Sequence, residues 1–401
     1  GTSDEPLLLM SVPAQGLEDM PLQTRVEDGA LIGEVPQLGL VVEVREADGR
    51  LVGSMQQGGM PFAIDFRRVA EVQGPNRPQH PQPPFPYAQR ELTILHPDGH
   101  RLSGTLTTPN GHGPHPCAVL ISGSGQQDRD ETIFAHKPFL VISDALTRRG
   151  IAVMRFDDRG VGGSEVEDTD SVLQATTEDF ASDVAEIVRA LRWQPDIDET
   201  RIGLIGHSEG GMIGPMVAAA DDSISFVVLL AGPGVSGRDI LMRQQELLQR
   251  SAGVGGIALA RILVAQAEVL DRAASAATPS EQRGAVEALV EAQLSATGQG
   301  SIIGAEARAA MIDQALQAVA SAWMQYFLKY EPIEVLVSLG CPVLAMNGTL
   351  DLQVDHDQNL DPIAEAMTAA GLDITIERFE GLNHLFQPAT TGAVTAVPRT
   401  P

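Results

Sequence analysis

From about residue 88 onward, short apolar runs alternate with longer stretches in which apolar and polar positions follow a helical period. Runs this short, nearly free of charge and mostly rich in Val, Ile and Leu, are typical of parallel strands covered on both faces. Between them, residues 178–192 carry an apolar stripe at helical spacing. The pattern predicts an α/β fold with a mostly parallel, doubly wound sheet. The five predicted strands are 117–121, 151–156, 202–206, 226–230 and 342–346.

The first part of the chain has a different period. Residues 1–73 alternate polar with apolar positions, and Asp48-Gly49 and Gly58-Gly59 interrupt the alternation. Such a pattern predicts short antiparallel strands joined by hairpin turns, and thus a small N-terminal β-domain. A proline-rich stretch over 74–88 follows. Proline fixes φ and removes a backbone donor, so we expect a semi-rigid linker there.

A block at 235–335 interrupts the alternation of strands and helices. It is rich in Ala, Leu, Gln, Glu and Arg. An insertion of this kind between two strands of a parallel sheet predicts a helical cap over the carboxyl edge, where α/β proteins bind ligands. The catalytic domain would then comprise 89–234 and 336–401. Helical periodicity is found within the block at 237–251, 255–277, 280–296 and 304–329.

Composition narrows the classes of function. Acidic residues outnumber basic ones by 53 to 27, for a net charge of −26. A chain so acidic is repelled by nucleic acid and by anionic lipid, so neither is an expected partner. No apolar run is long enough to span a membrane. The two cysteines, Cys117 and Cys341, each begin an apolar run, which favours free thiols over a disulfide. Gly1–Asp4 lack the pattern of a signal peptide, which suggests a cytoplasmic protein or one whose leader is not part of this chain.

The sharpest motif is Gly206-His207-Ser208-Glu209-Gly210, between a predicted strand and a stretch of small and apolar residues. A serine on a tight strand-to-helix turn needs glycine two positions to either side, because larger side chains would clash there. The turn exposes the hydroxyl and aims the start of a helix at charge that develops on a substrate. Ser208 is therefore the predicted nucleophile. His207 lies on the wrong side of the turn to act as its base and is expected to pack.

A serine nucleophile needs a base, and the base needs an acid to orient it, in the chain order Ser, acid, His. Asp351 follows the apolar run 342–346 in a loop, where such an acid belongs, and His384 follows the next predicted strand. Asp351 and His384 are thus the predicted acid and base. Asp355 and Asp357 are alternative acids and His356 is an alternative base. All three share one predicted loop, which is otherwise explained as a solvated acidic segment.

The loop after strand 117–121 is the predicted source of one oxyanion donor. We expect the backbone of Ser124 to donate, with Gln126 as second choice, and the backbone of Glu209 to supply the other N–H. Arg129 in the same loop is predicted to form a structural ion pair rather than to touch substrate. The glycine-rich segment 157–164 lacks a nucleotide-binding pattern and is predicted to be a structural loop.

Three aromatic residues at helical spacing close the predicted cap. They could line an acyl or alcohol pocket, although an aromatic stripe at this spacing is more often core. They are Trp323, Tyr326 and Phe327.

These motifs together resemble the α/β-hydrolase superfamily, and specifically bacterial carboxylesterases of the EstD type. The resemblance extends over about residues 90–390, and 53–67 is similar to the small β-domain that precedes the hydrolase in many relatives. The matching segments are SGSGQQDRDET (122–132), RFDDRGVGGS (155–164), GLIGHSEGGM (203–212), CPVLAMNGTLDLQV (341–354) and GLNHLFQ (381–387).

The resemblance implies nucleophile Ser208, acid Asp351 and base His384, acting on esters of short acyl chains without a cofactor or metal. The expected partner is a small-molecule ester, and the resemblance favours a periplasmic or secreted location, since relatives often carry an export leader. In this fold an amphipathic helix normally follows the histidine loop, but 385–401 has no such pattern. Whether the chain forms a homo-oligomer is left open.

Three functions are therefore compared. The first is a serine carboxylesterase that works through an acyl-enzyme. The second is a peptidase or amidase of the acyl-aminoacyl type that uses the same triad. The third is a non-catalytic binding protein on a hydrolase fold, which is disfavoured because such proteins usually lack a triad member and none is missing here.

Overall fold

A computed structural model describes residues 8–12, 17–27, 29–35, 40–47, 49–57, 60–67, 77–133, 136–275, 277–298, 300 and 303–392. Two sheets are present in the described chain, one of six strands and one of eight. The six strands of the first sheet follow one another in chain order, each antiparallel to the next. They are β1 (Leu8–Val12), β2 (Leu17–Glu27), β3 (Ala30–Val35), β4 (Leu40–Ala47), β5 (Arg50–Gln57) and β6 (Met60–Arg67).

The antiparallel pairing predicted for this N-terminal sheet is found among the described residues, whereas Asp48, Gly58 and Gly59 of the predicted turns lie outside them. The ends of β4 and β5 pair at Ala47 with Arg50, and β5 pairs with β6 from Gln57 with Met60 onward. Gly49 has φ +74°, the left-handed conformation that a tight hairpin turn favours for glycine. A small apolar cluster holds the sheet together: Leu22, Val42 and Val44 are buried, with Met10, Leu31, Met55 and Ile64 packed against them.

The second sheet is mostly parallel, as predicted. Its strands lie in the order β7, β8, β10, β9, β11, β12, β13, β14, and only β8 runs antiparallel to its neighbours. The first strand begins at Tyr87, inside the last positions of the stretch predicted as linker. The eight strands are β7 (Tyr87–Leu95), β8 (Arg101–Pro109), β9 (His115–Ile121), β10 (Ala152–Phe156), β11 (Ile197–His207), β12 (Ile224–Leu230), β13 (Val343–Gly348) and β14 (Ile374–Phe379).

Helices pack on both faces of this sheet, and the central strands are buried along most of their length. Helix α3 shows why the sequence folds this way. Thr176 and Asp179 form a capping box at its start, and its inner face buries Val184, Ile187 and Leu191. The helices of the layers are α1 (Pro138–Thr147), α2 (Thr169–Leu173), α3 (Thr177–Leu191), α4 (Gly210–Ala220), α10 (Pro332–Leu336) and α11 (His356–Ala369).

Between β12 and β13 the chain forms the helical block that the sequence predicts, with an apolar cluster of its own that includes Ile262 and Val286. The expectation of one helix over 304–329 is wrong in one respect: the helix breaks at Ser321. That residue has ψ 146°, and its side chain accepts a hydrogen bond from the Met324 N–H, so it ends one helix and caps the next. The helices are α5 (Gly237–Ser251), α6 (Gly256–Ala274), α7 (Pro279–Ala296), α8 (Ala305–Ala320) and α9 (Ala322–Phe327).

Both cysteines are free thiols, with Cys117 buried and Cys341 half-buried. Residues 385–392 form no helix, and 393–401 lie outside the described residues. Among the described helices, none is both long and apolar enough to cross a membrane.

Candidate active site

Ser208 occupies a sharp turn between β11 and α4. Its φ is +52°, a left-handed conformation that strains any residue other than glycine. Two backbone hydrogen bonds hold it: the Ser208 N–H donates to the Leu230 carbonyl at 2.8 Å, and the Gly211 N–H donates to the Ser208 carbonyl at 2.9 Å. The strain is thus fixed by the neighbouring strand and by the first turn of the helix.

The flanking glycines are required by space, as the motif predicts. A Cβ added at Gly206 would lie 1.9 Å from the Gly210 carbonyl oxygen, and one at Gly210 would lie 2.2 Å from the Ile121 carbonyl oxygen. Both obstacles are backbone atoms, which cannot rotate away as a side chain could. The turn is therefore closed to any larger residue at either position.

Asp351 and His384 are joined in the structure. The Asp351 carboxylate is buried, and its Oδ2 lies 2.7 Å from the His384 Nδ1. Its other oxygen accepts the backbone N–H groups of Gln353 at 2.8 Å and Val354 at 2.9 Å. Because the carboxylate is held by three hydrogen bonds, it can orient the His384 ring.

The loop of His384 is fastened to the loop of Asp351 by backbone contacts. The Leu350 N–H donates to the Leu382 carbonyl at 2.9 Å, and the Gly381 N–H donates to Thr349 Oγ1 at 2.9 Å. Asn383 Oδ1 closes the histidine turn by accepting from the Leu385 N–H at 3.1 Å and the Gln387 N–H at 3.0 Å. These contacts hold the histidine loop in place, although no helix follows it at residues 385–392.

The His384 ring lies beside the serine turn. Its centroid is 4.7 Å from that of His207, the residue before Ser208. The Ser208 hydroxyl makes no hydrogen bond to any described residue, and its side chain is half-buried. The structure thus brings Ser208, His384 and Asp351 to one edge of the sheet without a direct bond between the first two. In structures without substrate, catalytic hydrogen bonds of this kind are often long.

The alternative acids and base do not lie in a loop, contrary to the prediction, but begin helix α11. Asp355 caps α11 through the Gln358 N–H and pairs with Arg243 at 3.1 Å. His356 faces Asp357, 2.9 Å from its carboxylate. Neither carboxylate is within hydrogen-bonding distance of His384, in contrast to Asp351.

The loop after β9 runs beside Ser208. Its residues 122–131 are called the oxyanion loop here, after the donors predicted in it. A Cβ on Gly123 would lie 3.1 Å from the Ser208 Cβ, and the Gly123 N–H is occupied by the Glu131 carboxylate at 2.8 Å. Ser124 and Gln126, the two predicted donors, are exposed. The N–H groups of Ser124 and Glu209 donate to no acceptor among the described residues, so both are available to a ligand.

Arg129 of this loop is structural, as predicted: its guanidinium pairs with Asp157 at 2.7 Å and also with Glu91.

The side chain of Glu209 has a second role that the motif does not reveal. It is buried, and its Oε1 accepts hydrogen bonds from Thr177 Oγ1 and from the indole Nε1 of Trp323, each at 2.7 Å. Burial raises the pKa of this carboxyl, which the two donors only partly offset. Since Trp323 belongs to α9, this hydrogen bond joins the helical block to the residue that follows Ser208.

The three aromatic residues predicted for a pocket are packed into a cluster with Met212 and Ile240. Trp323 stacks on Phe327 with centroids 5.0 Å apart, whereas Tyr326 stacks on Tyr330 at 6.1 Å. Their packing is that of a core between α4 and the helical block. Only Trp323 touches a residue of the nucleophile motif among the described contacts.

A small enclosed cavity of about 10 Å³ lies behind the oxyanion loop, with Ser122, Gly123, Asp158 and Glu209 in its wall. The Asp158 carboxyl accepts from Ser122 Oγ and from the Gln127 N–H, both at 2.9 Å. Burial raises the pKa of Asp158 to about 7, with the Glu209 carboxylate adding to the effect. The cavity has room for about one water.

One group among the described residues has the donor set of a metal site: His96, His100 and Asp183, all buried. The Asp183 carboxylate, however, already accepts two hydrogen bonds from Arg159, at 2.8 and 2.9 Å, and His100 Nε2 lies 2.7 Å away. A cation would have to displace that guanidinium, so the residues fit an ion-pair network better than a metal.

Two residues of the site were not foreseen from the sequence, namely Glu131 and Thr177. Glu131 lies in the oxyanion loop with φ +51°, and its buried carboxylate bonds both Gly123 and His207. Nothing in the local spacing distinguishes either residue from an ordinary loop or helix position. Only the folded chain brings them to the serine turn.

A family model and two curated relatives match parts of this chain. The family described as serine aminopeptidase, S33 matches residues 138–387, more than half of the chain. Esterase EstD of Thermotoga maritima is 31% identical over 166 residues, which are 41% of this chain and 37% of that protein. Esterase FrsA of Escherichia coli O81 is 25% identical over 151 residues, 38% of this chain and 33% of that protein. The chain thus spans about a third of the length of these relatives.

Two solved structures align with the chain. The α/β hydrolase GrgF from Penicillium sp. sh18 aligns with a TM-score of 0.44 at 17% identity, over 74% of this chain and 91% of that one. Esterase Pf2001 of Pyrococcus furiosus aligns with a TM-score of 0.45 at 14% identity, over 75% of this chain and 84% of that one.

Proposed function

Since the chain belongs to the serine aminopeptidase S33 family and has an α/β-hydrolase fold, we propose that it is a serine carboxylesterase with Ser208, Asp351 and His384 as its triad. The observation that carries the proposal is the pairing of Asp351 with His384 at 2.7 Å, beside a serine held at φ +52°. The similarity to esterase EstD supports an ester as the substrate.

In the proposed reaction, His384 Nε2 takes the proton of Ser208 as its oxygen attacks the ester carbonyl. Asp351 keeps the Nδ1 proton of His384 in place and stabilises the imidazolium that forms. The imidazolium then gives its proton to the departing alcohol, which leaves an acyl group on Ser208. Water, deprotonated by the same imidazole, cleaves the acyl-enzyme and restores the serine.

The negative oxygen of each tetrahedral intermediate would be bound by the backbone N–H groups of Glu209 and Ser124. Both are without an acceptor in the described chain, and Gly123, which precedes Ser124, is directly beside Ser208. Gln126 is the second choice on the same loop. Donors of this kind act only when charge develops, which is why they accelerate the chemical step.

We propose that the acyl group is short. This proposal follows from the resemblance of the sequence motifs to EstD-type carboxylesterases. Which natural ester fits depends on the shape of the helical block.

A series of p-nitrophenyl esters from acetate to decanoate tests the proposal. We expect the largest kcat/KM with acetate or butyrate, and a loss of several orders of magnitude in Ser208→Ala with unchanged circular dichroism. Ser280→Ala, at an exposed serine of α7, is the matched control and should retain activity. Near-native hydrolysis by Ser208→Ala would overturn the proposal.

The family description favours one second candidate, an aminopeptidase or amidase with the same triad. An aminopeptidase site needs a carboxylate free to bind the substrate ammonium group. The Glu209 carboxyl beside Ser208 is instead bonded to Thr177 and Trp323. Comparing alanine p-nitroanilide with alanine p-nitrophenyl ester distinguishes the two: faster anilide turnover would favour the peptidase.

A further inference from the structure

His207 and Glu131 form a buried pair beneath the serine turn. His207 Nδ1 lies 2.7 Å from Glu131 Oε1, and His207 Nε2 lies 2.9 Å from the carbonyl oxygen of His384. The exposed fractions are 4% for His207 and 1% for Glu131. Neither residue has a part in the proton transfers proposed above.

The hydrogen bonds determine how many protons the His207 ring holds. A carbonyl oxygen only accepts, so Nε2 must carry a proton to bond His384. Nδ1 faces a carboxylate oxygen that already accepts the Gly123 N–H at 2.8 Å. With acceptors at both nitrogens, the ring is an imidazolium and Glu131 is its counter-ion.

The charged groups around His207 agree with this state. Burial by itself lowers the pKa of His207, but the Glu131 carboxylate, the His384 carbonyl and the Asp351 carboxylate together raise it above its ordinary value. The rings beside it are those of His384, with centroids 4.7 Å apart, and of Phe386, at 6.5 Å.

This pair connects three separate segments of the chain. The carboxylate holds Gly123 in the oxyanion loop, the imidazolium belongs to the strand that ends in Ser208, and its Nε2 holds the loop of His384. Both hydrogen bonds of the carboxylate are made by Oε1, whereas Oε2 is buried and has no partner in the described chain. Glu131 also adopts φ +51°, a strained conformation that persists only where other contacts fix it.

We propose that the Glu131–His207 ion pair is a positioning device for the triad. It holds the oxyanion loop, the Ser208 turn and the His384 backbone at fixed separations. This inference rests on the proposed function, since it assigns the pair a role in the same esterase site. Neither residue touches substrate. Loosening the pair should therefore impair groups that act in the transition state more than it impairs substrate binding.

Two substitutions test the pair. Glu131→Gln keeps an oxygen for the Gly123 N–H but removes the negative charge, so His207 becomes neutral. His207→Gln keeps a donor for the His384 carbonyl but removes the cation. Matched controls are Glu165→Gln and His112→Gln, because both residues are exposed and have no part in the proposed site.

For each variant kcat and KM are measured on p-nitrophenyl butyrate. We expect kcat to fall about 10- to 100-fold, as for a misplacement of about 1 Å, with KM changed less than about threefold. The double variant should lose about as much as one single variant, because both remove the same coupling. Glu131→Asp, which keeps the charge, should retain more activity than Glu131→Gln.

A second readout does not depend on hydrolysis. In ¹⁵N-histidine NMR of the wild type at pH 7.5, both ring nitrogens of His207 should carry protons, and in Glu131→Gln only one. The rate at which a fluorophosphonate labels Ser208 should fall in parallel with kcat. Wild-type protein without esterase activity would refute the proposed function, while the NMR spectrum would still test the ion pair.

Three outcomes would overturn the proposal. They are a neutral His207 in the wild type, native kcat in both single variants, and additive losses in the double variant. Where thermal unfolding shows that Glu131→Gln has lost its fold, His207→Gln and the wild-type NMR spectrum decide, and either of them can overturn the proposal.

Discussion

The indole Nε1 of Trp323 donates a 2.7 Å hydrogen bond to the Glu209 carboxyl, which follows Ser208 in the chain. Trp323 lies in α9, about 115 positions away in sequence, so this one bond couples the helical block to the serine turn. Thr177 at the start of α3 donates to the same oxygen. Glu209, whose backbone N–H would bind the oxyanion, is thus held through its side chain by both α3 and α9.

Trp323→Phe should weaken this coupling. Phenylalanine keeps the stack on Phe327 but leaves the buried Glu209 carboxyl with one donor fewer. We expect a loss of about 1–3 kcal/mol in unfolding free energy, measured by urea denaturation, together with a lower kcat/KM. Trp193→Phe is the control, because Trp193 is 85% exposed and should tolerate the change. Equal effects of the two substitutions would contradict a special role for Trp323.

Alanine at the motif glycines should prevent correct folding of the turn. In Gly206→Ala the new Cβ would lie 1.9 Å from a backbone oxygen, and in Gly210→Ala 2.2 Å from another. We expect a loss of at least about 4 kcal/mol, or insoluble protein, in either case. The control is Gly284→Ala in α7, where no atom lies within 4 Å of the added Cβ and a gain of about 0.5–1 kcal/mol is expected. Normal melting temperatures for the motif variants would show that the turn can rearrange.

Asp351→Asn should test the acid of the triad without disturbing its loop. The asparagine oxygen can still accept the N–H groups of Gln353 and Val354. Its amide would then donate to His384 Nδ1 and leave the proton on Nε2, the wrong tautomer for a base. We expect kcat at pH 7 to fall by about 10⁴. Asp355→Asn, the rival acid, should keep kcat within a few-fold, and the reverse result would reassign the triad.

Stability should depend on pH through Asp158. Its pKa is about 7 in the folded protein because the carboxyl is buried, whereas an unfolded aspartate titrates near ~3.9. Between these values the folded state binds more protons, so the contribution of Asp158 is fully present below about pH 4 and is lost as pH rises towards 7.

Asp158→Asn removes this dependence. Its amide can donate to Ser122 Oγ while its oxygen accepts the Gln127 N–H, so both contacts survive. The fall in unfolding free energy between pH 5 and pH 8 should be smaller in the variant by about 2–4 kcal/mol. An identical pH profile for the two proteins, measured by chemical denaturation, would mean that Asp158 titrates normally.

Much of the fold was evident in the pattern of apolar positions. The strands found at Ala152–Phe156 and Ile224–Leu230 start and end within two residues of the predicted runs, because buried parallel strands are nearly continuous apolar segments. The strands β7 and β8 were not among the predicted runs. They form an antiparallel hairpin at the sheet edge, and β7 exposes most of its residues, so its apolar content is low.

What the sequence determined by itself is local: a serine between glycines after a strand, an acid after the next-to-last strand, and a histidine after the last. Space at a tight turn and the meeting of parallel strand ends at one edge are enough to predict these. Which distant groups support them was decided only by the tertiary structure. Glu131, Thr177 and Trp323 meet His207 and Glu209 because packing brings together segments far apart in the chain, and no local period encodes such contacts.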